Sequence, residues 1–134
     1  ELEHFLLNFE CRDDIEIIED VGKKELIAFY NYSSGLVFPT LAEGFGLPVL
    51  EAMKCGCPVI CSNTTSLPEV AGDSAFFVNP LDDKEIHVAM RKILIDQDVV
   101  EKMRLKGIER SKQFSWKKTA ELTYRGYMEA LSNK

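Results

Sequence analysis

A chain of 134 residues, 46% of them apolar, is long enough to bury one hydrophobic core and too short for two ordinary domains. Sixteen basic residues against 22 acidic ones leave a net charge of -6, which repels the polyanionic backbone of nucleic acid and excludes it as an expected partner. No apolar run reaches the ~18 residues of a membrane span, and Glu1-Leu2-Glu3-His4 lacks the basic and apolar blocks of a signal peptide, so the segment is expected to be soluble.

Leu2, Phe5, Leu6 and Phe9 recur at helical spacing and predict an amphipathic opening helix. Ile15-Glu16-Ile17-Ile18 reads as a short strand, and Lys23 to Tyr32 as a helix with Leu26, Ile27 and Tyr30 on its inner face. Gly35 to Pro39 is continuously apolar, as a strand covered on both faces should be. A Gly-rich loop leads into a helix from Pro48 to Lys54, with Pro48 suited to the first helical position and Gly56 to the cap. Cys57 to Cys61 and Ala75 to Val78 predict the third and fourth strands. Ile86, Ala89, Met90, Ile93 and Leu94 mark the next helix, a more charged one runs from Asp98 to Lys112, and Ala120, Tyr124, Tyr127, Met128 and Leu131 form the stripe of a last one.

Strands alternating with helices imply parallel pairing and an α/β, Rossmann-like three-layer domain. Such folds usually carry five or six parallel strands, so this count of four implies that the first strand, with its loop, lies upstream of residue 1. Cys11, Cys55, Cys57 and Cys61 make a poor zinc pattern: three are clustered without a nearby histidine, and Cys57 and Cys61 flank a strand. Free thiols in a reducing cytoplasm are expected, and His4 and His87, on helical stretches without a second ligand at metal spacing, suggest no metal site.

Ligands of such sheets sit beyond the carboxyl ends of the strands, which points to the loop between Phe38 and Pro48. Gly44 and Gly46 allow backbone angles closed to other residues, and the helix that follows presents unpaired amides and a dipole that favour an anion such as a diphosphate. Glu43 and Glu51 bracket this cradle. An ionised carboxylate only accepts hydrogen bonds and is repelled by phosphate, so its natural partners are hydroxyls. A nucleotide sugar, with a hexose at one end, a ribose at the other and a diphosphate between, matches acid, helix end, acid. Glu51 stands among Val49, Leu50, Ala52 and Met53 on a helix apolar nearly all round, which predicts a buried carboxylate in need of a partner.

The run from Glu43 through Gly44-Phe45-Gly46-Leu47 and Glu51 to Ser62 resembles the signature of retaining glycosyltransferases of the two-domain Rossmann (GT-B) type, the group 1 family of glycogen synthases and many bacterial mannosyl- and glucosyltransferases. Leu67-Pro68-Glu69, Asn79-Pro80 and Phe114-Ser115-Trp116 are similar to its later landmarks, and the likeness runs from about residue 15 to residue 130. The resemblance implies that residues 1–134 are part of a C-terminal donor-binding domain without its N-terminal acceptor domain. It implies that Glu43 orients the donor sugar as the catalytic residue, that main-chain amides around Gly44, Phe45, Gly46 and Leu47 hold sugar and phosphate, and that Glu51 binds the ribose. Val21 and Gly22 correspond to where the base packs. No cofactor and no metal are implied. The resemblance implies a UDP-, GDP- or ADP-linked hexose as donor and a saccharide or lipid-linked compound as acceptor. The resemblance further implies transfer with retention, in a full-length enzyme that is cytoplasmic or peripheral at the inner face of the membrane. The upstream Arg and Lys of the family have no counterpart before Glu43, so weak donor affinity and no turnover by this chain alone are expected. The alternative is a non-catalytic Rossmann-like module that senses a nucleotide or pairs with another protein.

Overall fold

The computed structural model describes residues 10–132. The expected helix over Leu2 to Phe9 lies outside them. After a single 3-10 turn, Arg12–Asp14, the regular elements are α1 (Lys23–Tyr32), β1 (Leu36–Phe38), α2 (Leu47–Lys54), β2 (Val59–Ser62), α3 (Leu67–Ala71), β3 (Phe76–Val78), α4 (Asp83–Ile95), α5 (Gln97–Ser111) and α6 (Trp116–Ser132). The strands form one parallel sheet in the order β1-β2-β3, with Leu36 opposite Val59 and Ile60 opposite Phe76.

Strand periodicity sorts β2 between two layers. Val59 and Cys61 point to one face and pack with Tyr30, Val49, Met53 and Leu67, from α1, α2 and α3. Ile60 points to the other and packs with Val78, Ala89, Ile93 and Met103, from β3, α4 and α5. All four residues of β2 are buried, so β2 is the strand that its continuous apolar run describes. Complete burial of side chains such as Met53, Val59 and Ile60 contributes about 1.5–3 kcal/mol each.

Helix ends follow local chemistry. Asp82 caps α4 by accepting from the amides of Lys84 and Glu85, and Asp96 caps α5 by accepting from Val99. Gly56, at φ +74°, ends α2 in the left-handed conformation expected of it.

Several expectations need correction. Ile15 to Ile18 form no strand: among the described residues nothing pairs with them, and Ile17 and Ile18 are exposed. Among the described residues the sheet therefore has three strands rather than four. β1 is not covered on both faces; it lies at the sheet edge, and Val37, level with Ile60, is left exposed where α4 reaches β2 and β3. α2 starts at Leu47, which puts Pro48 in its first turn. α3 was not expected at all, because five residues are too few to show a helical period, although Pro68 in its first turn and Gly72 at φ +61° after it mark its ends. The stripe on α6 exists, but the helix buries none of it: Tyr124, Tyr127 and Leu131 face solvent. No helix among the described residues is long and apolar enough to cross a membrane.

Candidate functional site

The loop between β1 and α2 is fixed from outside itself. Ser62, at the end of β2, donates its hydroxyl to the Thr40 carbonyl, and Ser66 donates to the Glu43 carbonyl at 3.1 Å. Within the loop, Thr40 Oγ1 donates to the Ala42 carbonyl at 2.9 Å. Gly46 is buried with φ +98°, and a Cβ there would stand 2.6 Å from Leu67 Cδ2. Backbone angle and space both demand glycine at this point.

Two features make the loop an anion-facing surface. No side chain caps the start of α2, so the N–H groups of its first turn, to which Pro48 contributes none, have no side-chain partner at the end where the helix dipole is positive. Glu43, half-buried, turns its carboxylate onto its own loop: Oε1 accepts from the amides of Gly44 at 3.1 Å and Phe45 at 3.4 Å. A carboxylate oxygen thus stands where these amides offer a place to an acceptor.

Glu51 lies one turn into α2 and is exposed. The expectation of a buried carboxylate is wrong, because the buried positions of α2 are Val49, Ala52 and Met53, a single stripe that leaves Glu51 on the opposite side. It has no ion-pair partner among the described residues and lines a cleft of about 910 Å³. That size falls in the range of small-molecule sites. Phe45 and Leu47 line the same cleft, whereas Glu43, Gly44 and Gly46 do not. Val21 and Gly22 also lie off it, and the Gly22 amide already donates to Glu25 at 2.9 Å.

Burial first, then the Glu51 charge, raises the pKa of Tyr30 and of Cys55, so both stay protonated at neutral pH. Burial also raises Cys57 and pushes the Cys61 thiol up to about 12. Sequence reasoning missed the cations of the cleft: Lys23, Lys54, Arg110 and Lys118 all line it. They come from separate elements with no spacing in common, so no linear motif announces them. Lys23 stands before Glu43 in the chain, at the start of α1.

Helices on both faces of a parallel sheet, with the candidate site beyond the carboxyl end of β1, define a Rossmann-like α/β domain of the GT-B kind. The chain belongs to the family described as Glycosyl transferases group 1, which matches residues 1–114. It is 43% identical over 109 residues to the serotype-specific mannosyltransferase WbdA of Escherichia coli, a match covering 81% of this chain and 13% of that protein. It is 41% identical over 107 residues to O-antigen chain mannosyltransferase B of Escherichia coli, covering 80% of this chain and 28% of that one. Among solved structures, sucrose-phosphate synthase from Thermosynechococcus elongatus superposes with a TM-score of 0.87 at 25% identity, over 99% of this chain and 34% of that one. The chain thus spans well under two thirds of the length of these relatives.

Proposed function

We propose that this chain is the donor-binding part of a retaining hexosyltransferase: it holds a nucleoside-diphosphate sugar while a further domain, N-terminal in the whole protein, supplies the acceptor. The observation that carries the reading is the uncapped start of α2, set by buried Gly46 and flanked by Glu43 in the loop and Glu51 on the cleft. In this reading the diphosphate lies against the amides of Gly46 and Leu47, and Glu51 accepts from the ribose hydroxyls. Glu43 gives up its loop amides to the donor and accepts from sugar hydroxyls. Val21 and Gly22 flank the base. Lys23 and Lys118, on the cleft wall, lend positive charge to the departing diphosphate, where preoriented charge supplies much of catalysis. The reaction needs no cofactor and passes through an oxocarbenium-like state with the leaving phosphate on the same face.

The mannosyltransferase relatives support mannose as the hexose, and in this reading the acceptor is a saccharide or a lipid-linked compound. Such an enzyme works in the cytoplasm or against the inner face of a membrane.

Ligand-detected NMR of the chain with UDP-, GDP- and ADP-linked mannose and glucose tests this. Glu43→Gln should lose the sugar signals and Glu51→Gln the ribose signals. Binding indifferent to both substitutions would instead favour a nucleotide-sensing or interaction module.

A further inference from the structure

The loop that carries Glu43 is the closing segment of a ring of contacts. Ser66 donates to its Glu43 carbonyl and Leu67 packs on its Gly46; these two residues also open α3. At the far end of α3 the carbonyls of Val70 and Glu69 accept from Arg110, Nε to Val70 at 3.0 Å and Nη2 to Glu69. Arg110 Nη1 donates to Gln113 Oε1 at 2.6 Å, so each guanidinium nitrogen is used. The guanidinium carbon Cζ lies over the Phe114 ring, 5.2 Å from the centroid. Phe114 in turn meets Phe45 edge to face, centroids 6.0 Å apart and planes at 83°. Phe45 is the middle of Gly44-Phe45-Gly46, and the ring closes.

Each link has a chemical reason. Carbonyls at a helix C-terminus carry partial negative charge and attract a cation. A planar fork satisfies two of them and a side-chain amide at once while stacking on an aromatic ring, which an ammonium group does not do. An edge-to-face aromatic pair holds direction as well as area. Without Phe114, Phe45, an exposed side chain with a glycine on either side, would lose the aromatic contact that directs its ring.

We infer that Arg110 and Phe114 are positioning residues of the donor loop: through Phe45 they hold the amides from Gly44 to Leu47 in their binding arrangement before any ligand arrives. The inference rests on the proposed reading of that loop as the donor site. A preset loop binds more tightly because its ordering is not charged to the binding step.

The experiment compares the chain with its Phe114→Leu, Phe114→Tyr and Arg110→Lys variants by backbone NMR relaxation without ligand, then by titration with GDP-mannose. Order parameters at Gly44, Phe45 and Gly46 should fall from about 0.85 toward 0.6 in Phe114→Leu and Arg110→Lys, while those at Ile60 and Cys61 in β2 stay rigid. Donor binding should weaken roughly tenfold, the size of an edge-to-face pair felt entirely at the loop. Phe114→Tyr, which keeps the ring, should restore both. Loop order unchanged in Phe114→Leu, or lost equally in β2, overturns the inference. If the parent chain binds no nucleotide sugar, the relaxation data still decide the inference and only the donor reading falls. If Phe114→Leu does not fold, Arg110→Lys decides alone, since it keeps the charge and removes the fork.

Discussion

Replacing Gly46 with alanine puts one methyl group where backbone and packing both resist it. At φ +98° an L-residue crowds its own carbonyl, at a cost of about 1–2 kcal/mol. The new Cβ also stands 2.6 Å from Leu67 Cδ2, against the 3.4 Å at which ordinary contact begins. Leu67 is completely buried, so the added methyl overpacks the core at a cost of about 1–3 kcal/mol. The total, about 2–5 kcal/mol, is a large part of the 5–15 kcal/mol that roughly bounds domain stability. Urea unfolding followed by circular dichroism measures it. The two contributions separate in a double-mutant cycle with Leu67→Ala, which by itself costs about 2–5 kcal/mol. In that background the steric share vanishes and the backbone share stays, so the double variant should be more stable than additivity predicts by about 1–3 kcal/mol. A Gly46→Ala cost under about 0.5 kcal/mol, or strict additivity in the double variant, would refute the reasoning that glycine is required there on both grounds.

Thiol reactivity follows burial. Cys11 is exposed and should be alkylated first, whereas Cys61, buried and pushed up to about 12, should react only on unfolding, as peptide mass mapping of a native iodoacetamide time course would show. The acid side of the stability profile should carry Asp73, whose carboxyl Lys106 holds below its ordinary value by hydrogen bond and charge. A depressed carboxylate stabilises at neutral pH and loses that contribution as pH falls through its folded-state value. Asp73→Asn should therefore be less stable than the parent at pH 7, by a small margin because the pair is exposed, and the gap should close on acidification and shrink in high salt; a gap that widens in acid contradicts the assignment.

The elements legible in the sequence were those whose pattern is local. Lys23 to Tyr32 was read to the residue, and the helices at Ile86, Asp98 and Ala120 were placed within a few residues of their observed ends. Pattern alone did not show whether an apolar run finds a neighbour. Ile15 to Ile18 has strand composition without a partner among the described residues, and β1 has core composition at a sheet edge. Glu51 failed for a related reason: counting apolar neighbours along the chain ignored that Val49, Ala52 and Met53 take the whole buried stripe and turn the acid outward. Of the candidate site, the glycine at position 46 and the Pro-bearing helix start are legible as local chemistry, whereas only Phe45, Leu47 and Glu51 of the motif residues line the cleft and Glu43, Gly44 and Gly46 lie off it. The ring through α3, Arg110 and Phe114 was hidden because its members are far apart in sequence, with Arg110 bonded to residues 40 and 41 positions away.

The central claim is that an uncapped helix end and two flanking acids hold a nucleoside-diphosphate sugar. A crystal structure of the chain soaked with the tightest-binding of the UDP-, GDP- and ADP-linked hexoses tests it most directly. The diphosphate should lie on the amides of Gly46 and Leu47, and the Glu51 carboxylate within about 2.5–3.0 Å of the ribose hydroxyls. Glu43 should have left its own loop amides for the hexose. Density for the nucleotide elsewhere, or in the cleft with neither acid touching a hydroxyl, would contradict it.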